Sequence, residues 1–128
     1  MTRVTGFVGL LLLASGADAN AACLKQFVTM FPNQTVNTWM IVTSGDPCSF
    51  TLGDSPGAMH DTVVTQRPAH GAVTVQGHRV TYRSRPGYVG KDQFGYAHRG
   101  MSRSNTPITV GVRVAVDVRS SVTGGSRP

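Results

Sequence analysis

Residues 68–96 read PAHGAVTVQGHRVTYRSRPGYVGKDQFGY, and this stretch decides the fold. Val73 and Val75 alternate with Thr74, Gln76-Gly77-His78 makes a bend, and Val80 and Tyr82 alternate with Arg79, Thr81 and Arg83. Period-2 alternation on both sides of a glycine bend predicts a β-hairpin with one apolar and one polar face. Arg85-Pro86-Gly87-Tyr88 and Val89-Gly90-Lys91-Asp92 are rich in turn formers. Phe94 and Tyr96 then alternate with Gln93, Gly95 and Ala97 in a further strand. The same period governs residues 108–118. Ile108, Val110, Val112, Val114, Val116 and Val118 fall on one face, opposite Thr109, Gly111, Arg113, Ala115 and Asp117. That is the pattern of a strand buried on one side only.

Working back towards the N-terminus, extended segments are predicted over 24–31, 36–43, 48–52 and 62–66, separated by Pro32-Asn33, by Ser44-Gly45-Asp46-Pro47 and by the polar loop Gly53-Asp54-Ser55-Pro56-Gly57. Within 36–43, Trp39 and Ile41 share one face and Met40 and Val42 the other, and the lone Trp39 is expected to anchor the core. Arg99 to Asn105 reads as a polar loop. The chain contains no Glu and only two lysines, Lys25 and Lys91, so strong helix formers are scarce beside many Val, Thr and Gly. The sum is an all-β chain: an antiparallel immunoglobulin-like β-sandwich of about seven strands.

The first residues carry an address. Arg3 precedes the apolar run FVGLLLLA over 7–14, and Ala17-Asp18-Ala19 and Ala19-Asn20-Ala21 both fit an A-x-A cleavage pattern. The run is well short of the roughly 20 residues that span a bilayer. A cleaved secretory signal over 1–21, a sandwich over 22–119 and a Ser/Gly-rich disordered tail over 120–128 are therefore expected. Removing residues 1–21 from 128 leaves 107, enough for one domain with one core. In an exported chain the only two cysteines, Cys23 and Cys48, are expected to form a disulfide. The competing use of Cys23 is as the lipidated cysteine of an outer-membrane lipoprotein. Asn20-Ala21-Ala22-Cys23 matches a lipobox only in part, and lipidation would orphan Cys48, so the disulfide is preferred.

Pro68-x-His70-Gly71-x-Val73, Val80-x-Tyr82 and Pro86-Gly87-Tyr88-x-Gly90-x-Asp92-x-Phe94-x-Tyr96 resemble the bacterial immunoglobulin-like, cadherin-like repeat. That family's pattern runs P-x-x-G-x-V, V-x-Y-x-P and G-x-D-x-F-x-Y. The resemblance covers about the C-terminal half of the expected domain. It implies a seven-stranded sandwich used outside the cytoplasm for adhesion, spacing or ligand binding. Family members usually occur in tandem, whereas this chain has room for one copy. Where the family often continues with a calcium-binding Asp-Gly, this chain reads His98-Arg99-Gly100, an arginine in place of an oxygen ligand. Asp92 is therefore read as a turn residue capping local backbone N–H groups.

The formal net charge is +6, carried almost wholly by arginine, which suits anionic partners such as nucleic acid, lipid head groups or acidic polysaccharide. No nucleic-acid-binding motif is present, and export argues against specific nucleic-acid recognition. Arg79, Arg83 and Arg85 fall opposite Val80 and Tyr82, and Arg113 and Arg119 opposite the valine row. If those two strands share a sheet, the five arginines form a basic stripe for phosphate or carboxylate. His60, His70, His78 and His98 lack ligand-like spacing and read as loop and rim residues. With no Glu and no G-x-S-x-G elbow, no catalytic residues are assigned, and no metal or cofactor is expected. The expected function is a monomeric, exported, non-enzymatic module with a structural or binding role in the bacterial envelope. Its partner would be an envelope protein or an anionic glycan or lipid held by the Arg face. A periplasmic enzyme or a metal carrier is the remaining alternative.

Overall fold

The valine row of the last strand sets the architecture. In a computed structural model describing residues 23–53 and 55–122, the chain forms β1 (Cys23–Lys25), β2 (Thr35–Thr43), β3 (Cys48–Phe50), β4 (Gly57–Gln66), β5 (Gly71–Gln76), β6 (Arg79–Ser84), β7 (Gly90–Ser102) and β8 (Pro107–Arg119). The expected signal segment 1–21, Asp54 and residues 123–128 of the expected tail lie outside the described residues. One sheet has the order β1-β2-β8-β7-β4, the other β3-β6-β5. Every regular element among the described residues is a strand, and there are eight of them.

β8 lies in the middle of the larger sheet and buries Ile108, Val110, Val112, Val114, Val116 and Val118. The five valines meet Met40 and Val42 of β2 and Phe94 and Tyr96 of β7 in one core with Phe50, Val80 and Tyr82 of the smaller sheet. Aromatic rings close the gap between the layers. Tyr82 stacks on Phe94 at 5.5 Å, and Phe50 tilts against Tyr96 at 6.1 Å. The hairpin of β5 and β6 turns through Gly77 at φ 62°, the first position of a two-residue turn, where glycine accepts a positive φ without strain.

Three features differ from the sequence reading. β2 runs parallel to β8, so the larger sheet is mixed rather than antiparallel. The intervening chain crosses to the other sheet and returns, and alternation within a strand carries no information about such a distant neighbour. Trp39 is 41% exposed on the outer face. Its strand is aligned with β8 so that Thr38, Met40 and Val42 oppose Val114, Val116 and Val118, and the inward valines draw the even positions of β2 into the core. Strand limits also move. β1 has three residues instead of running to Phe31, β4 starts at Gly57, and β7 continues through the expected loop to Ser102. The extension of β7 pairs Arg99 with Asp61 of β4 at 2.8 Å, so polar residues that read as a loop become an outward strand edge.

Three ties join the two sheets. Cys23 and Cys48 form a disulfide between β1 and β3, edge strands of the larger and smaller sheet. Asp92 of β7 is buried, in a strand rather than a turn. Its carboxylate accepts from the Tyr82 hydroxyl of β6 (2.7 Å), from the Ala69 and His70 N–H groups (2.9 and 3.1 Å) and from Gln93 N–H (2.9 Å). Only the last of these is the local cap expected from sequence. At the opposite edge, the Thr62 hydroxyl of β4 lies 3.0 Å from His78 Nδ1 in the β5–β6 turn.

Two stability measurements follow from these ties. Reducing the disulfide, or replacing both cysteines by Ser, should lower the urea-unfolding free energy by about 3 kcal/mol, the chain-entropy value for a loop of this length. The residues closed by the bridge are 25 apart in sequence. Asp92→Ala, which strands four donors, should cost about 3–5 kcal/mol, and Tyr82→Phe, which removes one, about 1–2 kcal/mol. Equal urea midpoints for wild type and Asp92→Ala would show that the carboxylate does not hold the layers together.

Candidate functional site

The outer face of the larger sheet carries a trough where some outward positions of its central strands are small. On β7 these are Gly95 and Ala97, and on β8 Gly111 and Ala115, with Gly95 opposite Arg113 and Ala97 opposite Gly111. Thr65 and Thr35 stand beside the two glycines, where an added Cβ would approach their hydroxyl oxygens within 2.8 and 2.7 Å. The depression is about 490 Å³, walled by hydroxyl and amide side chains, with Arg113 at one end. A second depression of about 420 Å³ lies next along the same strands, between Trp39 and Ile41 on one side and Lys91 and Gln93 on the other, with Ala115 in its floor.

The charges of this face are largely spoken for. Asp117 is held by Arg119 at 2.8 Å and by Lys91 at 3.6 Å. The Arg119 hydrogen bonds, more than the Lys91 charge, keep the Asp117 carboxyl below its ordinary value. Asp61 is likewise held low, first by its hydrogen bonds to Arg99. Arg113 projects from the same face with no ion-pair partner among the described residues.

The five arginines do not form a single stripe. Arg79 and Arg83 point outward from β6 in the smaller sheet, and Arg113 and Arg119 outward from β8 in the larger. The two groups therefore face opposite sides of the molecule. Arg85 lies beyond β6, its guanidinium 5.9 Å above the Tyr88 ring and 3.4 Å from His70 Nδ1. His70 itself stacks on Tyr88 at 4.1 Å.

His98 is a core residue, not a rim residue: it is 1% exposed. It continues the inward row Phe94, Tyr96, His98 of β7, with its ring edge-on to Tyr96 at 5.4 Å. Its Nδ1 lies 2.6 Å from the Thr62 hydroxyl, which also reaches His78. One hydroxyl can donate to one ring nitrogen and accept from the other, so Thr62 couples the tautomers of the two imidazoles. The rings stand edge to face at 5.7 Å. Burial first, and the His78 charge second, holds the His98 imidazole below its ordinary value. Burial also raises the Tyr96 phenol, and burial together with the Asp92 hydrogen bond raises Tyr82, so both stay protonated donors at any ordinary pH.

Sequence reasoning missed the trough, the outward Trp39 and the buried imidazole. The alternation Phe94-x-Tyr96-x-His98 did contain the signal for His98. No helix among the described residues is long and apolar enough to cross a membrane. Compared with protein-family models, with curated proteins and with solved structures, the chain matches none of them.

His98 gives the fold a pH dependence of known sign. The unfolded chain binds this proton near pH 6.5 and the folded chain only at lower pH, so the unfolded state gains protons as pH falls through about 6.5. Asp61 and Asp117, ordinarily at 3.8 and lowered here, titrate below that window. The urea midpoint should therefore drop between pH 7.5 and pH 5.5, and His98→Gln should flatten the change whatever it does to absolute stability.

Proposed function

We propose that this chain is an exported, non-enzymatic, immunoglobulin-like binding module of the bacterial envelope, and that it binds through the outer face of its five-stranded sheet. The observation that carries this reading is the trough of two successive depressions along β7 and β8, the first walled by hydroxyl and amide side chains over glycine and alanine, the second flanked by the Trp39 indole over Ala115. Volumes of this order are those of ligand sites. The buried titratable groups give the reading its non-enzymatic part. Asp92 and Tyr82 are committed to a bond that joins the layers and His98 to Thr62 of the neighbouring strand, and the Tyr82 and His98 side chains are buried in the core. The disulfide suits an oxidising compartment, which agrees with the signal-like N-terminus. The resemblance of residues 68–96 to immunoglobulin-like, cadherin-like repeats points the same way.

Filling the trough tests the reading. Ala115 is exposed in the floor, so Ala115→Phe should fold as the wild type does. Wild-type protein should be retained on immobilised envelope fractions, and Ala115→Phe should lose that retention while keeping the same circular dichroism and melting temperature. Undiminished retention would remove the assignment of this face.

A further inference from the structure

We infer that the trough takes an acidic saccharide chain, with Arg113 pairing a sugar carboxylate and Trp39 stacking against a neighbouring ring; this rests on the binding role just proposed for the same face. The charge argument comes first. Among the described residues, the exposed Asp61 and the half-buried Asp117 of this face are already matched by Arg99, Arg119 and Lys91. Arg113 is a cation of this face that no ion pair among the described residues takes up. It sits between Asn37 of β2 and Gly95 of β7, so no bulky neighbour crowds the β7 side of its guanidinium fork. Such a fork holds a carboxylate through two parallel N–H···O bonds.

Geometry supplies the rest. Trp39 opposes Ala115, and Asn37 opposes Arg113. Trp39 and Arg113 are therefore diagonal neighbours on adjacent parallel strands, about 8 Å apart at the backbone by strand spacing and rise. That spacing sets a carboxylate and the flat face of the next sugar side by side. The indole is 41% exposed, held over a floor of alanine instead of being sunk in the core. An exposed indole offers an apolar plane with a polar edge, which matches the C–H face and hydroxyl rim of a sugar. Asn37, Gln93 and Thr35 add hydrogen-bonding groups on the same face. An extended peptide is a poorer occupant. It would be captured by unpaired backbone groups at a sheet edge, whereas β8 lies mid-sheet with β2 and β7 on either side.

The chain contains one tryptophan, so its fluorescence reports on the site directly. The oxidised protein is titrated with tetragalacturonate, with neutral cellotetraose and with phosphatidylglycerol vesicles. Tetragalacturonate should shift the Trp39 emission saturably and in a salt-dependent way, and cellotetraose should bind at least about tenfold more weakly. Arg113→Gln should weaken tetragalacturonate by about tenfold and leave cellotetraose unchanged. Calorimetry should show Trp39→Ala losing both, and the opposite-face double variant Arg79→Glu/Arg83→Glu losing neither. Equal binding of both saccharides, insensitive to Arg113→Gln but abolished by Ala115→Phe, would overturn the acidic ligand and spare the trough. A response to vesicles alone, or to no probe, would also overturn it. Saccharide binding that survives Ala115→Phe would bring down the ligand and the site together.

Discussion

The carboxylate of Asp92 is the constraint on which the two-layer structure depends. The chain leaves the larger sheet at Gln66 and enters the smaller one at Gly71. The crossing must turn its own N–H groups towards something, because no ladder is there to receive them. Asp92 receives two of them, and from the far layer it also takes the Tyr82 hydroxyl. A buried charge is tolerable when its oxygens are fully engaged by donors, and very costly when they are not. One side chain thereby fixes the crossing loop, the depth of β6 and the register of β7 at the same time. Tyr82 and Asp92 both belong to the spaced residues of 68–96, so in this chain that spacing serves layer-to-layer bonding.

The division of labour between inside and outside is clean. In the interior, Asp92, Tyr82 and the Thr62–His98 pair spend their hydrogen bonds on one another, on backbone or on His78. Outside, the arginines are distributed over both faces, so the basic charge makes no single concentrated field. What distinguishes one face from the other is relief. The smaller sheet presents Arg79 and Arg83 on a narrow three-stranded surface. The larger sheet has a furrow cut by residues that lack side-chain bulk.

The hairpin of 71–84 and the valine strand were legible because each is a local pattern: alternation inside one strand fixes its two faces, and a glycine between two such runs fixes the turn. The disulfide was legible from the cysteine count beside a signal-like N-terminus. What escaped depended on neighbours. Alternation in 35–43 separates Trp39 from Met40 but cannot say which row goes inward, and the valines of β8 decide that through the parallel ladder. The role of Asp92 was hidden because its partners lie 10 to 23 residues away. The basic stripe failed because sequence gave each strand its polar face without assigning the strands to sheets. The trough was the least visible feature, since it consists of missing side chains at Gly95, Ala97 and Gly111 aligned across two strands.

The sulfur bridge has a mechanical consequence. Tension pulling on the backbone ahead of Cys23 passes through the covalent link to Cys48 and bypasses everything between them, including all of β2. With the link closed, the parallel β2–β8 ladder is shielded from the load path. Once it is reduced, the same pull enters β2 and loads that ladder lengthwise, straining its hydrogen bonds together in shear. The redox state of two atoms thus selects which part of the molecule bears force.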